Sequence, residues 1–342
     1  MEETVNKTAA AAPQAAEEKK TRAFVVSSSP HVFDQTNVYR IMHAVILALI
    51  PACGVSVYVF GPRALLIIVV SLVSAVVTEI VCQRFLKKPV TVADGSAAIT
   101  GILIALTLPP SFPIFGVILG NVFAIAIGKQ IFGGLGLNIF NPALLGRAFL
   151  QATYPVLITT WTDPFNYGST AVDAIAGATP LALKKFEGAM AAHSDMLLGN
   201  VAGSLGETSV IAILVGGLIL RYLGHINWKL PLGFLGSIAF TSGVFWLIDP
   251  TKYADPLYHL CAGGAMLGAW FMVTDMVTSP TTPKGQWIFA ITAGAITVII
   301  RLFGGLPEGV MYSILLMNAV TPLINRWTRP KVFGELEARS KA

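Results

Sequence analysis

Few residues in this chain combine a reactive side chain with a useful setting. The first is Thr179, in VDAIAGATPLALKK (172–185), a stretch that lies outside every apolar run. Gly177 and Ala178 leave its surroundings uncrowded, and Pro180 fixes the chain direction after it. An exposed threonine hydroxyl there can accept a phosphoryl-linked group from a modifying enzyme, with Asp173 six residues upstream as a recognition element. Read from its residues alone, Gly-Ala-Thr-Pro is also an ordinary loop turn, and that is the plainer reading. Four acids, Glu79, Asp94, Asp249 and Asp275, lie within a turn or two of the ends of apolar runs. Charges there are costly in lipid and often functional. They also fit as interfacial charges or, for Asp94, as a helix N-cap. Asp94 and Asp275 adjoin stretches rich in small residues, which makes them the candidates for an ion path.

The five histidines share no spacing, and Cys53, Cys82 and Cys261 stand far apart with no CxxC pattern. No metal site and no iron–sulfur ligand set is expected from this chain. Each cysteine reads as a small buried apolar residue.

These residues are set in a strongly apolar background. Of 342 residues, 54% are hydrophobic and 12% charged, with mean hydropathy +0.70. Soluble domains carry about 25% charged residues, so the chain reads as an all-α polytopic membrane protein. The net charge of +5 points to cytoplasmic loops and anionic lipid headgroups, not to nucleic acid. A span needs about 20 apolar residues. Spans are expected at 40–60, 63–84, 112–131, 209–223, 231–248, 257–278, 286–303 and 307–326. Two further segments, 94–109 and 138–152, hold small or polar residues, as helices packed inside a protein can. The total is ten.

The halves resemble each other. IFGGLG (131–136) recurs as LFGGLP (302–307), and the same offset of 171 carries Thr107 onto Thr278 and Pro109 onto Pro280. Five spans per repeat make the second copy enter from the opposite side, an inverted-topology repeat. The expected organisation is a flexible cytoplasmic tail (1–23) and a first five-helix repeat (24–152). An extracytoplasmic loop (153–208), a second five-helix repeat (209–327) and a cytoplasmic C-terminal tail (328–342) follow. Lys and Arg placement sets the orientation. With Arg40, Arg84, Lys87, Lys88, Lys129, Arg221, Lys229 and Lys284 on inner segments, both termini face the cytoplasm. Arg147 and Arg301 fall near span ends.

Several motifs carry a resemblance to a known family: VVSSSPHVF (25–33), IMHAVILALIPA (41–52), DGSAAITGILIALTLPP (94–110), NIFNPALLGRAFL (138–150), DAIAGATPL (173–181) and GGAMLGAWFMVTDMVTSPTTPKG (263–285). Over nearly all of residues 24–330 the chain resembles the D subunits of bacterial Rnf complexes. These are sisters of the B subunit of the sodium-pumping NADH:quinone oxidoreductase. The SSPH opening and short N-terminal tail favour the Rnf member.

The resemblance implies a subunit of an ion-translocating oxidoreductase (a translocase) in the bacterial cytoplasmic (inner) membrane. Such a complex relays electrons between ferredoxin and NAD with coupled Na⁺ or H⁺ movement. It implies FMN esterified to Thr179 by a dedicated flavin transferase, with Asp173, Gly177, Ala178 and Pro180 around the acceptor. Lys184 and Lys185 are near enough in sequence to contact the flavin phosphate. By analogy a second, non-covalent flavin (riboflavin) belongs to the membrane core. The implied partners are the other Rnf subunits, including FMN-carrying and iron–sulfur subunits, and the lipid bilayer. One departure is Ala176, where the family's motif usually carries Ser or Thr. The lost hydrogen bond, worth about 0.5–1.5 kcal/mol, is expected to slow modification. Two rivals are an inverted-repeat solute channel or transporter, which has no need of an acceptor threonine, and the quinone-reducing sister subunit.

Overall fold

The structure is a computed structural model that describes residues 36–165, 176–207 and 209–330. The expected N-terminal tail (1–23), Asp173 and residues 331–342 of the expected C-terminal tail lie outside the described residues.

The first half comprises α1 (Val38–Phe60), α2 (Pro62–Phe85), α3 (Ser96–Leu106), α4 (Ile114–Val122, running on as a π-helix Phe123–Gln130) and α5 (Pro142–Thr153). A connection follows with α6 (Pro155–Thr159), β1 (Trp161–Thr162), β2 (Ala176–Gly177), α7 (Pro180–Ala182, running on as a π-helix Leu183–Glu187) and α8 (His193–Leu198). The second half holds α9 (Val210–Tyr222), α10 (Lys229–Ile248), α11 (Pro256–Cys261), α12 (Ala265–Leu267, running on as a π-helix Gly268–Met272), α13 (Pro283–Phe303) and α14 (Val310–Trp327). The protein is therefore mostly helical. Four helices, α1, α2, α10 and α13, are long and apolar enough to cross a membrane, and shorter apolar helices accompany them. It is a multi-pass membrane protein.

Helix starts follow local chemistry. A polar residue followed by proline opens α5, α7, α11 and α13, at Asn141-Pro142, Thr179-Pro180, Asp255-Pro256 and Thr282-Pro283. In each the polar side chain accepts from a backbone amide of the first turn, and the proline occupies a position that needs no amide donor.

Packing joins α2 to α3 and α4 in the first half and α10 to α13 in the second. The halves meet through α1 against α9 and α5 against α14. Small residues allow the close approaches. A Cβ added at Gly216 would collide with the Ala48 carbonyl across the α1–α9 contact.

Two expectations are corrected. The run 257–278 is not one continuous span. Helix α11 stops at Cys261, the chain turns through Gly263 at φ 66°, and a new helix starts at Ala265. A paired glycine there permits the turn that a side chain would resist. Nor do all the charged residues near span ends face the interface. Glu79, Lys129, Arg147 and Arg301 are buried, each held by partners that cancel its charge or use its donors.

The Gly216 contact can be tested directly. Gly216→Ala is expected to lower unfolding stability by about 1–3 kcal/mol through overpacking, measured by denaturant titration of the detergent-solubilised protein. Gly236→Ala, where an added Cβ meets nothing within 4 Å, is the matched control.

Candidate functional site

Thr179 caps α7: its Oγ1 accepts from the Ala182 amide at 3.2 Å, and its main chain is extended. The turn is docked by Tyr258, whose phenol donates to the Pro180 carbonyl at 2.6 Å. Contrary to the expectation of an exposed hydroxyl, Thr179 is 2% accessible. The cap fold turns the hydroxyl back onto its own helix.

Just before it, β2 pairs antiparallel with β1, Gly177 opposite Trp161 and Ala176 opposite Thr162. Gly177 is needed here for space. An added Cβ would collide with Asp163 Oδ1 and lie 2.7 Å from the Ala202 Cβ.

Gly177, Ala178 and Ala182 line a cavity of about 370 Å³, within the range of ligand pockets. Its walls come from both halves. Arg147 and Gln151 on α5 face Gly305–Glu308, Met311 and Tyr312 from the α13–α14 region, with Trp161 and Phe186 adding aromatic surface.

The charged part of this wall is built from buried groups. Arg147 donates one nitrogen to the Thr107 carbonyl at the end of α3 and another to Glu308 Oε2 at 2.9 Å. Arg301 on α13 donates to the carbonyls of His259 (2.5 Å) and Ala262 (3.0 Å), at the end of α11. Glu207 and Glu308 approach the turn between α11 and α12: a Cβ on Gly264 would lie 3.3 Å from Glu207 Oε1, and one on Gly263 3.7 Å from Glu308 Oε1. Glu207 lies on the connection between α8 and α9, outside the apolar helices. Burial, followed by the negative charge of Glu308, pushes its carboxyl up to about 8.

Of the two lysines, Lys185 has its ammonium on three carbonyls, of Arg301 (2.8 Å), Gly304 (2.5 Å) and Leu306 (3.1 Å). It thereby caps the end of α13, and burial pulls its pKa below the ordinary value. Lys184 reaches the Thr251 carbonyl at 3.3 Å.

Asp94 and Asp275 both brace helix ends. Asp94 Oδ1 accepts from the Ser96 amide and hydroxyl, at 2.8 and 2.6 Å. Asp275 accepts from the Val277 amide and the Thr278 hydroxyl, both at 3.1 Å. Asp275 lines a second cavity, together with Ser96, Thr100, Asn138, Asn141 and Thr274. Asp249 ends α10, and the Thr251 hydroxyl, then the Lys252 amide, hold its carboxyl below the ordinary value. His193 pairs with Asp255 at 3.0 Å. Among the described residues no three His, Cys, Asp or Glu gather as metal ligands, and the three cysteines are free. Arg147, Glu207, Glu308 and Tyr258 carry the site's polar architecture, and sequence reasoning missed all four as functional candidates. The signals in the sequence were Arg147 at the end of NPALLGR and Glu308 directly after LFGGLP.

Residues 25–334 match the model of the NQR2, RnfD, RnfE family. Among curated relatives, the D subunit of the proton-translocating ferredoxin:NAD(+) oxidoreductase complex of Clostridium ljungdahlii is 47% identical over 92% of this chain and 97% of its own. The D subunit of the Na(+)-translocating ferredoxin:NAD(+) oxidoreductase complex of Acetobacterium woodii is 47% identical over 93% and 97%. The D subunit of the ion-translocating oxidoreductase complex of Cronobacter sakazakii is 38% identical over 91% and 99%.

The raised Glu207 carboxyl makes folding depend on pH. A folded-state value of about 8 against an ordinary 4.5 means that the folded protein holds this proton more tightly. The stabilisation is present at low pH and is lost as pH rises from about 4.5 towards 8. The thermal midpoint of the wild-type protein should therefore fall between pH 5 and 8 relative to that of Glu207→Gln. The difference is limited to about 1.4 kcal/mol per pH unit. Parallel pH profiles for the two proteins would show that Glu207 holds no extra proton.

Proposed function

The chain belongs to the NQR2, RnfD, RnfE family, and from that premise we propose that it is the D-type membrane subunit of an ion-translocating ferredoxin:NAD⁺ oxidoreductase complex. The carrying observation is 47% identity over more than nine-tenths of the chain to two subunits so named. The names of these relatives support this assignment over the quinone-reducing sister. Near-full coverage by such relatives supports it over a solute channel. The complex acts as the oxidoreductase and this chain is one of its membrane subunits, working beside the other Rnf subunits.

Within that role Thr179 is the attachment point of FMN, placed there by a flavin transferase. The residues around it fit such a group. A pocket-sized cavity opens beside Gly177 and Ala178, bounded by the flat side chains of Trp161, Phe186 and Tyr312 and by the Arg147 guanidinium. When bound, the flavin supplies one-electron chemistry, while the protein contributes position and electrostatics. Arg147, already paired with Glu308, supplies positive charge where a reduced flavin would carry negative charge. Trp161, which is buried, excludes water from that wall. Tyr258 holds the capped turn in place through Pro180. Lys184 is the lysine with donors to spare for a phosphate, since Lys185 is committed to helix carbonyls. Because Thr179 is buried, attachment requires the α7 turn to open or the transferase to act before it closes. Ala176 and Asp173 belong to recognition by that enzyme. The second cavity, with Ser96, Thr100, Asn138 and Asn141 on its wall, suits the non-covalent flavin (riboflavin).

Ten spans in two inverted five-helix repeats is the architecture this reading adopts. The offset of 171 carries Arg147, on α5, to Asn318, about one turn before Thr321 on α14. Arg147 donates to the Thr107 carbonyl and Thr321 to that of Thr278 at 3.0 Å, the very threonines that the repeat pairs. This supports the repeat. Both termini then face the cytoplasm of a bacterial inner membrane, and the Thr179 connection lies outside.

Two experiments test these statements. On a denaturing gel, wild-type protein made with an active flavin transferase is expected to give a fluorescent band that Thr179→Val abolishes and Thr179→Ser retains. A dark wild-type band removes the tether. For orientation, a cysteine at exposed Ala189, with Cys53, Cys82 and Cys261 replaced, should react with an impermeant maleimide in right-side-out vesicles. Reaction only after permeabilisation reverses the orientation.

A further inference from the structure

A third cavity, of about 130 Å³, is bounded by the π-helical extension of α7, the α10–α11 connection, α11 and the end of α13. Four of its lining residues are cations: Lys184, Lys185, Lys252 and Arg301. No Asp or Glu stands among the described residues that line it. Acids on neighbouring segments are held elsewhere. Asp249 Oδ1 accepts from the Thr251 amide and hydroxyl. Asp255 accepts from the Tyr258 amide and pairs with His193, and Glu308 pairs with Arg147. The carbonyls around Lys185 and Arg301 occupy donors but cancel no charge. Lys252 is exposed, with its ammonium 5.3 Å from the centre of the Tyr253 ring.

Three features point to an anionic ligand. First, a cleft lined by charge of one sign concentrates ions of the other. Second, buried donors are left over. His259 lines the cavity and is 4% accessible, yet neither ring nitrogen has a hydrogen-bond partner among the described residues. Arg301 Nε is buried and unpartnered as well. Buried polar groups are nearly always paired, and an unpaired one is costly. A water molecule would serve the imidazole but leave the excess of positive charge. Third, the volume falls below the range of organic-ligand pockets, which begins at about 300 Å³, and suits a small oxyanion. Several N–H donors around one space favour a multiply charged group of oxygens over a halide.

We propose that this cavity binds one phosphate group, as free inorganic phosphate or as the headgroup of an anionic phospholipid. Arg301 Nε and one His259 nitrogen donate to its oxygens from the buried side, and the Lys252 ammonium meets it from the exposed side. A neutral imidazole supplies one N–H for this purpose. Lys184 and Lys185 add positive charge. Bound there, the anion ties the α7 extension to the α10–α11 connection and to α13. It thereby braces the turn that carries Thr179, whose Pro180 carbonyl is already held by Tyr258 on the same cavity wall. The site takes its phosphate whether or not Thr179 carries a group.

The test uses the full chain purified in neutral detergent from cells without a flavin transferase, with two probes. Equilibrium dialysis against ³²P-labelled inorganic phosphate, at ionic strength held constant with NaCl, gives one site per chain if free phosphate is the ligand. Native mass spectrometry after exposure to phosphatidylglycerol or phosphatidylcholine shows one retained phosphatidylglycerol if the headgroup is the ligand. In whichever arm binds, Lys252→Gln and His259→Leu are expected to weaken binding at least fivefold. Thr179→Val, and Lys229→Gln at the far end of α10, should leave it unchanged. Binding of neither probe overturns the site, and so does a smaller loss in Lys252→Gln and His259→Leu. Should His259→Leu fail to fold, Lys252→Gln decides alone, because that side chain is exposed. Loss of binding in Thr179→Val would put the phosphate on the threonine turn and overturn the site equally.

Discussion

Carbonyls left open where helices break inside an apolar protein have to find donors, because no water is there to serve them. Two buried arginines meet that demand. Arg147 closes on the carbonyl of Thr107, and Arg301 on those of His259 and Ala262. The amides of Leu205 and Gly206 take the neighbouring carbonyls of Leu108 and Leu106, at 3.0 and 2.6 Å. Each arginine comes from a helix other than the one it closes, so the breaks and the bundle hold each other in place. Guanidinium suits this role because its planar fork of fixed donors spans two carbonyls, as Arg301 does, where a lysine would offer a point charge.

Bringing two arginines inside creates a second requirement, for counter-charge, and Glu308 and Glu207 follow from it. Glu308 pairs with Arg147, and the two acids sit against Gly263 and Gly264, where no side chain competes for the space. The cavity beside Gly177 and Ala178 is lined by the same Arg147 and Glu308. The site is therefore placed at the seam between the halves by the groups that make the seam stable. Its electrostatics are by-products of helix termination, and a charge introduced there meets donors already fixed in position.

Much of this was legible in the sequence because it depends on local periodicity or on short motifs. Nine of the ten expected segments fall close to observed helices, and a polar residue followed by proline stands at four helix starts. The break inside 257–278 was hidden because the apolar run continues across it. The paired Gly263-Gly264 was the local sign, but small residues in membrane helices also serve close packing. Lys129 and Glu79 were misplaced for a related reason. A charge near the end of an apolar run looks the same whether it faces the interface or finds a partner fifty positions away, and pairing across helices leaves no trace in a linear reading. Lys184-Lys185 was read as one pair, yet the lysines part ways in three dimensions, one capping α13 and the other at the surface.

Thr179 shows most plainly what a motif leaves out. Its sequence context suggested an open loop, and the fold answers with a capped turn whose hydroxyl is turned inward and whose proline carbonyl is held by Tyr258. If a phosphoester is formed on that oxygen, the oxygen stays an acceptor but becomes bulkier, and the Ala182 amide can bond a phosphate oxygen in its place. The turn would then reclose around the linkage with the attached group directed to the space next to Gly177, where the absence of side chains leaves room. The cap that hides the threonine before modification can therefore position the tether afterwards. Burial of the acceptor is compatible with a tethered group as long as the turn opens once, against the Tyr258 hydrogen bond at Pro180 and the core packing of Leu181.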